Sequence, residues 1–252
     1  MELTPVQRRA LLEEGYVVLP GAIPRARVEA ALHAINRSLG EQGLAPDKLT
    51  QYRSQSYCPE LQGSEAISGL YNDTPLRDVA ESLIGPGKVR PVRGGQVALR
   101  FPNTDAPRAP GAHIDGMYSP TNGVKQGTIA NFTALAGVFL SDLPTADAGN
   151  FSVWPGSHLL HEAYFRDHGP QALLEGMPKV TMPQPRQITA HAGDAVICHY
   201  LLGHGVAGNT SPHTRYAIFF RLTHTEHDGS KWESMTDAWL EWAGLRGQAA
   251  PA

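Results

Sequence analysis

From Val89 onward, the chain carries short apolar runs separated by clusters of glycine, proline, asparagine and aspartate. The whole sequence contains 26 glycines and 20 prolines, and so many turn-forming residues are typical of a β-protein rather than of a helical bundle. The spacing of the runs predicts a β-barrel or jelly roll. The predicted strands are Gln96–Phe101, Thr128–Leu140, Phe151–Trp154, Arg186–Ala190, Ala195–Tyr200 and Tyr216–Leu222.

Outside this region, capping residues and helical periodicity predict helices and one further strand. These are a helix over Pro5–Glu14 capped by Thr4, a strand over Tyr16–Leu19, and helices after Pro24, over Thr74–Ile84 and over Trp232–Leu245. The last helix is expected to pack on the outside, and residues 40–69 show no clean period. Because no internal repeat is found, we predict one domain over residues 1–252, mainly β with flanking helices.

Charge and composition exclude several classes of protein. The formal net charge is -3, whereas a nucleic-acid-binding protein is usually basic. No apolar run approaches the length that spans a bilayer, and no secretory signal is recognised at the N-terminus. Cys58 and Cys198 are expected to be reduced thiols. We therefore expect a soluble, cytoplasmic protein without nucleic-acid or membrane partners, and the sequence leaves its oligomeric state open.

A His-x-Asp motif at His113 and Asp115 is a candidate metal site. Residues two apart on a strand project to the same face, so an imidazole and a carboxylate could share one ion. His204, just after a predicted strand, is the candidate third ligand. Two histidines and one carboxylate with open coordination positions are the ligands of non-haem Fe(II) oxygenases.

The motif is weak by itself, because about one His-x-Asp or His-x-Glu pair is expected by chance in such a composition. A second pair occurs at His224 and Glu226. We do not favour it, because too little β-structure follows it to supply a distant third ligand.

Arg215, eleven residues after His204, strengthens the first interpretation. It opens an apolar strand that we expect to be central and antiparallel to Ala195–Tyr200. A buried guanidinium there could bind the far carboxylate of a small dicarboxylate through two parallel hydrogen bonds. The alternative is an ordinary surface arginine at the start of a strand.

From about Leu3 to Leu222, the sequence resembles the phytanoyl-CoA dioxygenase family of Fe(II)- and 2-oxoglutarate-dependent oxygenases. Its motifs occur in the family's order, and the spacing of the final pair is the most specific. They are Glu14–Leu19, Gln96, His113-x-Asp115, Gly149 with Trp154–His158, Gly193-Asp194, Asn209–Ser211, and His204 with Arg215. In this pattern His158 is expected to be structural.

The resemblance implies a double-stranded β-helix (a cupin-like jelly roll) in which His113, Asp115 and His204 bind iron. It implies that Arg215 pairs with the C5 carboxylate of 2-oxoglutarate. Gln96 occupies a family position that can contact this cosubstrate, and Arg100 lies on the same predicted strand. Val206 departs from the family, which often has serine or threonine there.

The implied reaction uses O2 and hydroxylates an unactivated C–H bond of a small molecule, releasing succinate and CO2. Four arginines precede the metal motif and are compatible with an anionic substrate, namely Arg90, Arg93, Arg100 and Arg108. The alternative is that Arg90, Arg93 and Arg108 are solvated surface residues. Two alternatives stay open. A cupin-type metal enzyme would consume oxygen without 2-oxoglutarate, and a non-catalytic binding module would show no metal binding that depends on His113 and Asp115.

Overall fold

The computed structural model describes residues 2–103, 106, 107 and 109–247. Its strands form two antiparallel sheets, as the predicted jelly roll requires. The strands are β1 (Tyr16–Leu19), β2 (Gln96–Arg100), β3 (Ala134–Phe139), β4 (Phe151–Val153), β5 (Arg186–Gln187), β6 (Ala195–His199), β7 (His204–Val206) and β8 (Arg215–Leu222). One sheet has the order β1-β6-β3-β8-β2, and the other has the order β5-β4-β7.

Helices flank the sheets and occupy most of the N-terminal third. They are α1 (Pro5–Glu14), α2 (Arg25–Gln42), α3 (Leu49–Ser54), α4 (Glu65–Asn72), α5 (Pro75–Ile84), α6 (Ser157–His168) and α7 (His227–Ser230). Short 3-10 turns lie at Pro46–Lys48, Pro59–Leu61, Pro170–Glu175 and Glu233–Met235. Among these helices, none has the combined length and apolar character needed to cross a membrane.

Helix α1 begins and ends where the sequence predicts. The Thr4 hydroxyl accepts a hydrogen bond from the backbone N–H of Gln7, and the Gln7 side chain accepts one from the Thr4 N–H. Gly15 ends the helix with a φ of 82°, in the left-handed region where a side chain would be strained. The predicted helices after Pro24 and over Thr74–Ile84 are confirmed as α2 and α5.

Strand β8 has two different faces. Its even-numbered residues pack toward the helices, where the Phe220 ring lies 5.7 Å from the ring of Tyr71 in α4. Its odd-numbered residues face the other sheet, where Phe219 lies 5.1 Å from Phe151 of β4. Because side chains alternate along a strand, Arg215 and Arg221 share the second face.

The predicted relation between Ala195–Tyr200 and the Arg215 strand is wrong. β6 and β8 do not pair, and both run antiparallel to β3 between them, so they are parallel to each other. The chain reaches β8 by crossing to the second sheet at β7, which pairs with β4. The prediction that the Arg215 strand is central is confirmed.

The helix predicted over Trp232–Leu245 is also wrong. This segment consists mainly of short turns, and both Trp239 and Trp242 are buried against His199. The ring of His199 stacks on Trp242 at 5.4 Å and meets Trp239 edge-on at 5.0 Å. Contacts with the core therefore override the local helical pattern. Helices α3, α4, α6 and α7 were not predicted.

Candidate metal centre

His113 and His204 lie directly opposite each other on neighbouring backbone segments. The N–H of His113 donates to the carbonyl oxygen of His204 at 2.9 Å, and the N–H of His204 donates back at 3.0 Å. Opposite residues in an antiparallel bridge project to one face. The two imidazole rings are 4.5 Å apart between centroids, so the fold brings these predicted site residues together.

Asp115 completes a compact group of three metal-ligand side chains. Its Oδ1 lies 3.4 Å from Nε2 of His113 and 3.6 Å from Nε2 of His204, and the three ligand atoms are all within 4.8 Å of one another. Ligands bonded at about 2 Å and at right angles around one ion lie about 3 Å apart. The group therefore fits a divalent metal ion with small adjustments.

Gly205 allows the bridge between His113 and His204 to form. A Cβ atom at this position would lie 2.4 Å from the carbonyl oxygen of Gly111, far closer than van der Waals contact. Any other residue would push the two segments apart. The small size of Gly205 is thus a geometric requirement of the site.

A backbone carbonyl fixes the orientation of the His204 ring. Nδ1 of His204 lies 3.0 Å from the carbonyl oxygen of Leu202, which can only accept a hydrogen bond. The proton therefore resides on Nδ1, and the lone pair of Nε2 faces Asp115. Such hydrogen bonds commonly orient histidine ligands of metals.

The Asp115 carboxylate is ionised despite its burial. Burial raises the pKa of Asp115, but the Arg221 guanidinium, with smaller contributions from His113 and His204, outweighs this, so the pKa lies well below the ordinary value. Nε of Arg221 donates to Asp115 Oδ2 at 3.1 Å, and Nη2 forms an ion pair with the same oxygen at 2.8 Å. A negative charge is thus held ready for a cation.

A cavity of about 380 Å³ between the two sheets contains this group. All six residues singled out in the sequence line it, and so do several residues that were not. The six are Gln96, Arg100, His113, Asp115, His204 and Arg215. The additional charged lining residues are Arg53 and Arg221. Val206, where the family often has serine or threonine, also lines the cavity.

Arg215 is almost fully buried, with 1% of its surface exposed. Its Nε donates to the carbonyl oxygen of Gly149 and its Nη1 to that of Ala98, both at 2.9 Å. Its Nη2 has no hydrogen-bond partner within the described chain. Burial and the neighbouring Arg100 guanidinium lower the pKa of Arg215 to about 9. A buried cation with one free donor fits an anionic ligand.

Arg100 lies directly opposite Arg215 on the adjacent strand β2. Two like charges facing each other destabilise a sheet, unless an anion binds between or beside them. Gly149 can lie against both arginines only because it has no side chain. A Cβ at this position would lie 2.8 Å from the Cβ of Arg100 and 3.2 Å from that of Arg215. Gly149 has a φ of 77°, which also favours glycine.

Arg221 is the functional candidate that sequence reasoning missed. It lies six residues after Arg215, on the same face of β8, and that even spacing was the available signal. Its Nη2 also donates to Oε1 of Gln96 at 3.1 Å. The guanidinium lies over the ring of Phe132, 5.8 Å from the centroid.

Other residues considered for the substrate site lie elsewhere. Arg90 forms an ion pair with Asp228 at the surface, and Arg93 does not line the cavity. Arg108 lies outside the described residues. Arg53, Ser54, Met117 and Tyr118 also line the cavity.

The second His-x-Glu pair does not form a metal centre. Nδ1 of His224 accepts from the N–H of Glu226, and the nearby His227 bonds to Glu241 instead. Across the described residues, the only group of three metal-ligand side chains is the one at His113. His158 is buried and hydrogen-bonds through Nε2 to the carbonyl oxygen of Leu12, in keeping with a structural role.

The family model described as "Phytanoyl-CoA dioxygenase (PhyH)" matches residues 11–217. The chain belongs to this family. Members of the phytanoyl-CoA dioxygenase family are iron- and 2-oxoglutarate-dependent oxygenases, so the protein is an oxidoreductase that uses Fe(II), 2-oxoglutarate and O2. The sequence-based assignment to this family is confirmed. A comparison with curated proteins finds no match.

Solved structures of such oxygenases share the fold. HygX from Streptomyces hygroscopicus, solved with nickel and 2-oxoglutarate bound, is 20% identical with a TM-score of 0.59, covering 89% of this chain and 88% of its own. The non-haem monooxygenase ThoJ in complex with nickel is 19% identical with a TM-score of 0.57, covering 86% and 77%. The 2-oxoglutarate-dependent epimerase SnoN from nogalamycin biosynthesis is 20% identical with a TM-score of 0.50, covering 86% and 81%. The predicted jelly roll is confirmed by these similarities.

Proposed function

We propose that this phytanoyl-CoA dioxygenase family protein is a single-domain hydroxylase of a small molecule. Nε2 of His113, Oδ1 of Asp115 and Nε2 of His204 would hold iron, and Arg215 would bind the C5 carboxylate of 2-oxoglutarate. The observation that carries the proposal is the free Nη2 of Arg215, buried in the cavity that also contains the three metal-ligand side chains.

The environment of Arg215 supports a carboxylate ligand. A buried guanidinium is costly unless it is paired, and its other two donor positions already bond to the carbonyls of Gly149 and Ala98. One carboxylate could accept from Nη2 and reduce the repulsion between the Arg215 and Arg100 guanidinium groups. The opposite end of a short 2-oxo diacid could then reach the metal and occupy two open positions.

Each part of the chain has a separate task in this reaction. When bound, iron and 2-oxoglutarate supply the oxidising chemistry, with decarboxylation to succinate and CO2. The three ligand residues leave open coordination positions. The apolar walls, which include Leu135, Phe151 and Phe219, exclude water from the site and favour reaction with the substrate.

Charge in the cavity supports an anionic substrate. Four arginines line it, and Asp115 is the acidic residue among the described lining residues. Asp115 offsets Arg221, and 2-oxoglutarate would offset Arg215 and Arg100. Arg53 lies exposed on α3 and makes no ion pair within the described chain. It could therefore attract a carboxylate, phosphate or sulfate group of the substrate.

Turnover of 2-oxoglutarate by the purified protein tests the proposed function. Succinate release should require added Fe(II) and 2-oxoglutarate, and a library of small acids should reveal substrates that increase it and gain one oxygen atom by mass spectrometry. Asp115→Ala should abolish succinate release, whereas Asp47→Ala, which removes an exposed carboxylate, should not. Full turnover in Asp115→Ala would contradict the ligand assignment. A product that lacks the added oxygen would show that the reaction is not a hydroxylation. It would favour another outcome, such as the epimerisation for which SnoN is named.

A further inference from the structure

Arg221 holds one oxygen of the Asp115 carboxylate and leaves the other for the metal. Oδ2 accepts a hydrogen bond from Nε of Arg221 at 3.1 Å and forms an ion pair with Nη2 at 2.8 Å. Oδ1 is the oxygen that faces Nε2 of both histidines. The two carboxylate oxygens therefore have different partners.

Gln96 fixes Arg221 in turn. Oε1 of Gln96 accepts from Nη2 of Arg221 at 3.1 Å, and Phe132 lies beneath the guanidinium. These contacts tie strand β2, strand β8 and the Asp115 segment into one chain of hydrogen bonds. A planar guanidinium can hold this arrangement because its donors have a fixed geometry, whereas an ammonium group is a point charge on a flexible stem.

We propose that Arg221 is a positioning residue that holds the Asp115 carboxylate so that Oδ1 faces the metal site. The inference rests on the proposed metal site. Turning the carboxylate away from this orientation would break the hydrogen bond and the ion pair with Arg221. Held in this way, Oδ2 would stay away from the metal and leave room there for the cosubstrate and O2.

Removing Arg221 would change metal affinity in opposite directions, depending on whether its charge or its positioning of Asp115 matters more. Arg221 places a positive charge near the ion, so its removal would strengthen metal binding if charge alone mattered. Its removal would weaken binding if orientation of Asp115 matters more, and loss of such orienting partners typically costs about 10- to 100-fold in metal affinity. We expect the second effect to dominate, because Arg221 contacts the carboxylate directly through a hydrogen bond and an ion pair.

Calorimetric titration of the metal-stripped protein with Mn(II), without cosubstrate, tests this. Arg221→Met should weaken Mn(II) binding at least tenfold, and Arg221→Lys should restore only part of the loss although it keeps the charge. Arg37→Met, which removes an exposed ion pair with Glu41, is the matched control and should bind as the parent does. Circular dichroism establishes that each variant is folded.

A double-mutant cycle with Asp115→Ala tests whether Arg221 affects Mn(II) binding through Asp115. If Arg221 acts through Asp115, adding Arg221→Met to Asp115→Ala should cause no further weakening. Unchanged or tighter Mn(II) binding by Arg221→Met in the intact protein, or full restoration by lysine, would overturn the inference. Absence of Mn(II) binding by the parent protein would instead overturn the proposed metal site, so the two failures are distinguishable.

Discussion

Replacing Arg215 by methionine should weaken 2-oxoglutarate binding strongly while leaving metal binding intact. The methionine removes the charge but retains much of the apolar length of the side chain. In the native protein, the free Nη2 lies in a cavity with little competition from water, because Arg215 is 1% exposed. A charge-assisted hydrogen bond there is stronger than one at the surface.

The magnitude follows from the loss of one partner of a buried charge pair, which costs about 2–5 kcal/mol. At about 1.4 kcal/mol for each factor of ten, the Kd for 2-oxoglutarate should rise by about 30-fold or more. Arg215→Lys should lie between the parent and the methionine variant, because lysine keeps the charge but cannot bond to the carbonyls of Gly149 and Ala98 with the same geometry.

Calorimetric titration of the Mn(II)-loaded protein with 2-oxoglutarate measures this effect without turnover. Arg37→Met serves as the control, since Arg37 is an exposed residue of α2 that pairs with Glu41. A Kd unchanged by Arg215→Met would refute the assignment of Arg215 to the cosubstrate. Weaker Mn(II) binding in the same variant would show instead that Arg215 supports the metal centre.

Three further predictions concern acid stability, the backbone of the site and the cavity mouth. Burial lowers the pKa of His158 to about 3 and that of His199 to about 4, whereas the unfolded value is about 6.5. The unfolded chain therefore binds more protons between these values, so stability is full above pH 6.5 and decreases as pH falls. We expect a loss of about 2 kcal/mol per histidine at pH 5, measured by urea unfolding at pH 7.5 and 5, and a flat profile would contradict it. Gly205→Ala should weaken Mn(II) binding at least tenfold by forcing apart the bridge between His113 and His204. Gly40→Ala is the control and should not weaken it, because Gly40 has open space around it. Equal Mn(II) affinities of the two variants would contradict the steric argument. Arg53→Gln should raise KM about fivefold for a carboxylate substrate but not for its amide, and equal changes for both would argue against an anionic group at Arg53.

The sequence predicted the chemistry of the site better than its surroundings. The sequence singled out His113 and Asp115 because residues two apart on a strand share a face, but the structure has His113 in an isolated bridge and Asp115 in a turn. The ends of α1 were equally local, because Thr4, Gln7 and Gly15 act within a few residues of one another. Residues an even number of positions apart on a strand share a face, so Arg215 and Arg221 lie on one face of β8. From the sequence, only Arg215 was recognised as a site residue.

Tertiary structure decided which site residues from distant segments of the chain come together. Pairing between strands distant in sequence, such as β8 with β2 and β3, brings Arg100 opposite Arg215, and no local pattern specifies such a partner. The approach of Gly205 to Gly111 and the bond between Arg221 and Asp115 depend in the same way on packing of the two sheets. Trp239 and Trp242 show the converse, since burial around His199 replaces the helix that their local sequence favours. The local motif therefore indicated the candidate ligand residues, and non-local packing determined how their side chains come together and how their charges are held.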